Sequence, residues 1–206
     1  MASYKISTDT LIRFGQIIKF FESSVTEELK REINAIRLEI KSGNVFAIAT
    51  NQKVAAIERI GSSTESDAAV HVIMTEELQK ICRNGGSITF NVMPELLIAV
   101  AQNEAGETCT NFTNWSIEGV LQNWRSWAAP DASESKGVMH WHLHQVHTLF
   151  ECSPSGRVYF PTHIDAEKPV TLRDCFSDKW VGLFFPQPEP GEPYLKSAKL
   201  PEWWSV

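Results

Sequence analysis

Apolar and polar residues change their period several times along this chain, and each change marks an element. Over "STDTLIRFGQIIKFF", Leu11, Phe14, Ile17, Ile18 and Phe21 recur at helical spacing, Asp9 is placed to cap, and Arg13, Gln16 and Lys19 share the opposite face. In "INAIRLEIKSGNVFAIATNQKVAAIERIG" the period drops to two. Ile36, Leu38 and Ile40 alternate with Arg37, Glu39 and Lys41, which predicts a strand with one wet face. "SGN" supplies Gly43 for a hairpin turn, and "VFAIAT" and "KVAAIERI" complete a three-stranded meander.

The order then recurs. "DAAVHVIM" predicts a strand and "TEELQKICRNGG" a short helix begun at Thr75 and stopped at Gly85, while "SITFNV" and "ELLIAVAQ" resume strand alternation. A helix followed by a meander thus occurs twice, a periodicity that predicts an α+β architecture of repeated helix-plus-antiparallel-meander units. Beyond residue 114, "WSIEGVLQNWRSW" places Ile117, Val120, Leu121 and Trp124 on one helical face, with Gly119 weakening it. "VMHWHLHQVHTLFEC", "GRVYFPTHI", "KPVTLRD" and "KWVGLFFP" alternate like strands, and the Pro-rich "QPEPGEPYLKSAKLPEWWSV" follows as a surface tail. The chain divides on this reading into residues 1–114, carrying both units, and an altered segment over 115–206.

Composition narrows the function classes. The 206 residues are enough for a sizeable core, and no apolar run approaches the ~20 residues that cross a bilayer. "MASYKISTDT" lacks the apolar core of a secretory leader, and Cys82, Cys109, Cys152 and Cys175 are too widely spaced for a zinc or redox motif. Free thiols in a cytoplasmic protein are expected. The net charge of −6 divides as 11 basic against 15 acidic residues in 1–120 and 8 against 10 in 121–206. Any phosphate contact must therefore come from a local basic stripe on an acidic body.

At "INAIRLEIKSGNVFAIATNQKVAAIERI" the chain resembles the bacterial β sliding clamps of DNA replication. Ile36, Leu38, Gly43, Val45, Ala47, Ala49 and Thr50 fill the family's strand–turn–strand pattern, whereas its Asp after the Thr is Asn51 here. "KPVTLRDCFSDKWVGLFFPQ" is similar to the end of a clamp domain, with Phe185-Pro186 in the place of Met-Pro. The resemblance runs over residues 5 to about 110 and is patchy beyond. It implies a non-enzymatic, DNA-clamp-like scaffold without cofactors, its helices facing double-stranded DNA, its partners being replication proteins and further copies of itself. A full clamp of the family has three domains, so the length implies that more subunits would close a ring. Arg13 and Lys19 on the first helix, with Lys80 and Arg83 on the second, are the expected DNA-binding residues; sequence-independent phosphate contacts let a protein slide along a duplex. The same topology without DNA binding, as a protein-interaction module, is an alternative.

A different class is suggested by "VMHWHLHQVH". In a strand His140, His142 and His144 project to one side and supply candidate metal ligands for a metal-dependent hydrolase or cupin-like enzyme. The spacing fits imperfectly. A cupin places a Glu three or four residues after its His-x-His, and here six residues separate His144 from Glu151, with His163 the only later histidine; the Pro of a JAB-type metalloprotease is missing. A hydrolytic metal would also need a carboxylate base, for which Glu151 or Asp165 is nearest. No G-x-S-x-G, phosphate-binding loop or G-x-G-x-x-G occurs.

Overall fold

A computed structural model describes residues 2–18, 35–51, 53–93, 98–112, 124–126, 143–159 and 169–185. Strand β1 (Ala2–Ser7) leads directly into helix α1 (Thr8–Ile18), followed by β2 (Ala35–Lys41), β3 (Asn44–Thr50) and β4 (Val54–Ser62). Strand β5 (Ala68–Ile73) leads into α2 (Glu76–Cys82), followed by β6 (Ser87–Met93), β7 (Ile98–Asn103) and β8 (Thr108–Phe112). Helix α3 (Leu143–Cys152), β9 (Val158–Tyr159), β10 (Val170–Asp174) and β11 (Trp180–Phe184) complete the order.

Two antiparallel sheets result, one ordered β1-β6-β7-β8 and the other β5-β2-β3-β4-β11-β10-β9. The two leading strands are exchanged: β1 pairs with β6, setting Tyr4 opposite Phe90 and Ile6 opposite Ile88, while β5 pairs with β2. Strand β11 lies along β4, with Val181 opposite Ile57, so the larger sheet is continuous between the first 62 residues and the last described segment. Ser42 (φ 49°) and Gly43 (φ 77°) form the two-residue turn between β2 and β3. Positive φ at both positions fits the right-handed twist of the hairpin and explains the glycine.

The core sits between the sheets, where Ile36, Leu38 and Ile40 meet Leu11, Phe14 and Ile17 of α1, Leu78 of α2, and Ile88, Phe90 and Val92 of β6. Ser7, not Asp9, caps α1, because its Oγ accepts the Thr10 amide at 3.0 Å. Thr75 caps α2 as expected, its Oγ1 accepting the Leu78 amide at 3.2 Å.

Two expectations change, and a third lies almost wholly outside the described residues. The face of β2 that alternation marked as wet is covered: Arg37 and Glu39 are 9% and 5% exposed, side by side on the sheet with a second cluster of Phe46, Ile48, Ile57, Val181 and Leu183 that Trp124 joins. Of "WSIEGVLQNWRSW" only 124–126 are among the described residues, as a short 3-10 turn. "LHQVHTLFEC" is helix α3 rather than strand, and its buried positions Gln145, Thr148, Leu149 and Cys152 follow the i, i+3, i+4, i+7 spacing of a helix face.

Candidate nucleic-acid interface

Helix α1 is the hub of the helical layer, packing on β2, β3 and β4 and touching both α2 and α3. Its apolar stripe is consumed by the core, which leaves Asp9, Ile12, Arg13 and Gln16 to face elsewhere.

Arg13 is drawn inward. Its side chain is 11% exposed, its Nη2 donates to Glu58 Oε2 at 2.9 Å and to Thr10 Oγ1 at 3.1 Å, and its Nε donates to Asp9 Oδ2 at 2.8 Å. Its Nη1 donates to the carbonyl of Cys152 at the end of α3. One guanidinium thus ties α1 to β4 and α3. Burial disfavours its charge, but Glu58 and Asp9 outweigh that and hold the guanidinium even more firmly protonated than usual. Glu58 responds the other way: burial pushes its carboxyl above the ordinary range although Arg13 pulls it down. With two carboxylates and a carbonyl as partners, Arg13 presents no spare charge to a phosphate.

Lys80 and Arg83 stand exposed on the outer side of α2, beside exposed Glu76 and Glu77 in its first turn. Lys19 lies outside the described residues. Of the four expected DNA contacts the structure therefore places two on one exposed helix surface and commits one to an internal ion pair.

His140 and His142 also lie outside the described residues. His144 belongs to α3, so the strand parity expected to align it with them does not extend to it. His147, on the exposed side of α3, sits with Nδ1 3.6 Å from Glu151 Oε2, one helical turn away. Among the described residues no group of three His, Cys, Asp or Glu side chains is placed to hold a metal ion. All four cysteines are free thiols, and burial pushes Cys82 up to about 11, which makes it inert as a nucleophile at neutral pH. No helix among the described residues is long and apolar enough to cross a membrane.

Two further polar clusters went unrecognised in the sequence. Glu39 Oε2 accepts from Arg37 Nε at 2.9 Å and Trp124 Nε1 at 3.2 Å, while its Oε1 accepts from Arg125 Nη1 at 2.6 Å. Arg125 also lies 4.0 Å over the Trp124 ring, so the 124–126 turn straps the outer face of the larger sheet by charge and stacking together. Near β10, the Asp174 carboxylate accepts from the Ser153 hydroxyl, from the Ser155 amide at 2.9 Å and hydroxyl at 2.8 Å, and from the Phe176 amide at 2.8 Å. Burial works against the Asp174 charge, yet these donors together hold the carboxyl below its ordinary range.

No protein-family model and no curated protein sequence matches the chain. Solved structures do. The DNA polymerase III beta subunit of Thermotoga maritima superposes with a TM-score of 0.54 at 11% identity, over 99% of this chain and 67% of that one. The DNA polymerase III subunit beta of Pseudomonas aeruginosa is similar at a TM-score of 0.49 and 11% identity, over 100% of this chain and 68% of that one. An identity this low speaks to architecture alone. On that architecture the chain has the fold of the DNA polymerase III beta sliding clamps.

Proposed function

We propose that this chain is a non-enzymatic, clamp-like protein that acts at DNA, binding the duplex, replication partners or both through the exposed surface of α1 and α2. Residues 1–114 read as one clamp-like domain of two half repeats, each a strand, a helix and a meander with its leading strand exchanged. Residues 115–206 read as an altered third segment carried on the β4–β11 pairing. The observation that carries the proposal is the likeness to the Thermotoga beta subunit over nearly the whole chain, joined to the placement of Lys80 and Arg83 on one exposed helix surface.

Magnitudes decide how such a protein would hold DNA. Each phosphate contact contributes about 0.9 to the logarithmic salt slope, so Lys80 and Arg83 give a slope of about −1.8, and roughly −2.7 with Lys19. One copy with so few contacts binds weakly, and Glu76 and Glu77 in the first turn of α2 oppose even that. Binding that matters requires several copies acting together, which multiplies the contacts without any new chemistry. We therefore propose a homo-oligomer as the working form. The same acidic neighbours favour a second reading, in which the helix surface meets a protein and not a duplex.

Mass measurement in solution with and without duplex DNA, paired with a salt titration of binding, tests the proposal. A larger assembly on DNA whose affinity falls steeply with salt is the expected outcome. A chain that stays monomeric and ignores duplex DNA at 50 mM salt would leave the protein-interaction reading.

A further inference from the structure

A groove of about 480 Å³ runs between α1 and α2 above the end of β5. Ile12, Gly15 and Ile18 line it from α1, Ile73 and Met74 form its floor, and Arg83 stands at its rim. Ile12 is 45% exposed and Ile73 39%, two of only four large hydrophobic residues among the described ones to be so open to water. The floor is fixed, because Gln79 Nε2 donates to the Met74 carbonyl at 3.3 Å.

Gly15 is the informative residue. A glycine inside a helix lowers its stability, so a packing or backbone reason is expected. Neither is present. Its φ is not in the left-handed region, and a Cβ added there would meet Met74 Cε at 3.5 Å, an ordinary contact. What the missing side chain does is let the Met74 side chain lie close against α1, which keeps the wall of the groove low at its middle. Arg83 adds charge: among the described residues no ion pair or hydrogen bond takes up its guanidinium. An apolar trough ending at a cation that no described residue pairs selects ligands with the matching pattern.

We propose that this groove binds an amphiphilic anion of medium size, an apolar body of about eight to ten carbons carrying one carboxylate, which suits a pocket of this volume. The body lies between Ile12, Ile73 and Met74, over Gly15, and the carboxylate pairs with Arg83. The site does not depend on DNA binding, although Arg83 belongs to both surfaces.

Calorimetric titration of the full chain with decanoate, and separately with decyltrimethylammonium below its micelle threshold, tests this. Saturable binding of one decanoate per chain is expected, with the cationic amphiphile much weaker. Arg83→Gln should weaken decanoate roughly three- to fivefold, the range of a partly exposed ion pair, and Arg83→Lys should restore most of the loss. Gly15→Leu should abolish binding by filling the trough; should that chain misfold, Ile73→Gln, at a half-exposed position, removes apolar floor instead. Lys80→Gln should lower duplex binding and leave decanoate unchanged, which separates this site from the DNA surface. Equal affinity for both amphiphiles, indifference to the Gly15 and Ile73 substitutions, or saturation only by a folded apolar peptide would overturn the proposal.

Discussion

Arg13 and Arg83 look alike in the sequence, each a basic residue on the polar stripe of an amphipathic helix, and they do opposite things in the fold. Arg83 ends α2 with its guanidinium in water. Arg13 turns under α1 to meet Glu58 and the last carbonyl of α3. The difference lies in what stands opposite: α1 packs against β4 and α3, and β4 carries a carboxylate at position 58 on the side it presents to the helix. A helical wheel gives the direction of a side chain but not the charge of its neighbour, so a basic stripe names candidates for phosphate contact only until the packing partner is known.

Breaking the buried pair should produce the largest effect. Arg13→Met leaves Glu58 in the interior without its cation and should cost about 3–5 kcal/mol by urea unfolding, as removal of one partner from a buried ion pair does. The sign with pH follows from Glu58. Its folded-state carboxyl already lies above the ordinary range, so the folded protein holds that proton more tightly than the unfolded chain, and stability from this group declines as pH rises through the window above the usual glutamate value. Loss of Arg13 raises that carboxyl further. The Arg13→Met deficit should therefore shrink as pH is lowered from 7 toward 5, and Arg13→Met with Glu58→Leu should recover most of it. A deficit that grows on acidification would show that Arg13 acts mainly through the Cys152 carbonyl.

Glu39 on the outer face of the larger sheet comes next. Glu39→Gln keeps the shape and removes the charge that Arg37 and Arg125 share, so a loss of about 1–3 kcal/mol is expected, with Trp124 fluorescence shifting as the strap loosens. An unchanged spectrum would mean that stacking of Arg125 on Trp124 and Phe46 holds the turn unaided.

The same contrast explains how far the sequence could be read. The meander β2–β3–β4 was legible because period, turn and burial agree: Ile36, Leu38 and Ile40 all enter the core, and Gly43 adopts the φ its turn needs. Strands β1 and β8 were missed: "ASYKIS" owes its strand state to β6, 80 to 90 residues along the chain, and "TCTNF", short and polar, is held only as the second strand of the hairpin it forms with β7. Helix α3 was misread because the His-x-His alternation before it dominated the window. The helical signal, Gln145, Thr148, Leu149 and Cys152, contains two polar residues that look exposed until the fold buries them. The exposure of Lys80 and Arg83 on the polar side of α2 was legible from helical spacing. The burial of Arg13 was not, because Glu58 is 45 positions away and only the register of α1 on β4 brings it near.

Asp174 offers a milder test of how a buried carboxylate is held by neutral donors rather than by a cation. Asp174→Asn loses part of its acceptor set and should cost about 1–2 kcal/mol. The pH sense is opposite to that of Glu58: the folded carboxyl lies below its ordinary value, so its stabilisation is present above about pH 4 and fades as pH falls through the folded value. Wild type should lose stability on acidification below pH 4 more steeply than Asp174→Asn.

At the small end of the scale stand Lys80→Ala and Arg83→Ala. Both side chains are exposed, so each substitution should move stability by less than about 0.5 kcal/mol. Their effect belongs in binding. Each should flatten the salt slope of duplex binding by about one unit and weaken all DNA sequences alike, since a contact to phosphate reads no base. Arg13→Lys supplies the internal comparison: it keeps a charge on α1 but loses the forked geometry that serves Glu58, Asp9 and the Cys152 carbonyl at once. It should therefore lower the urea midpoint and leave the salt slope alone. If instead Arg13→Lys preserved stability and Arg83→Ala reduced it, the two arginines would have exchanged roles, and the surface assigned to DNA would have to be redrawn around α1.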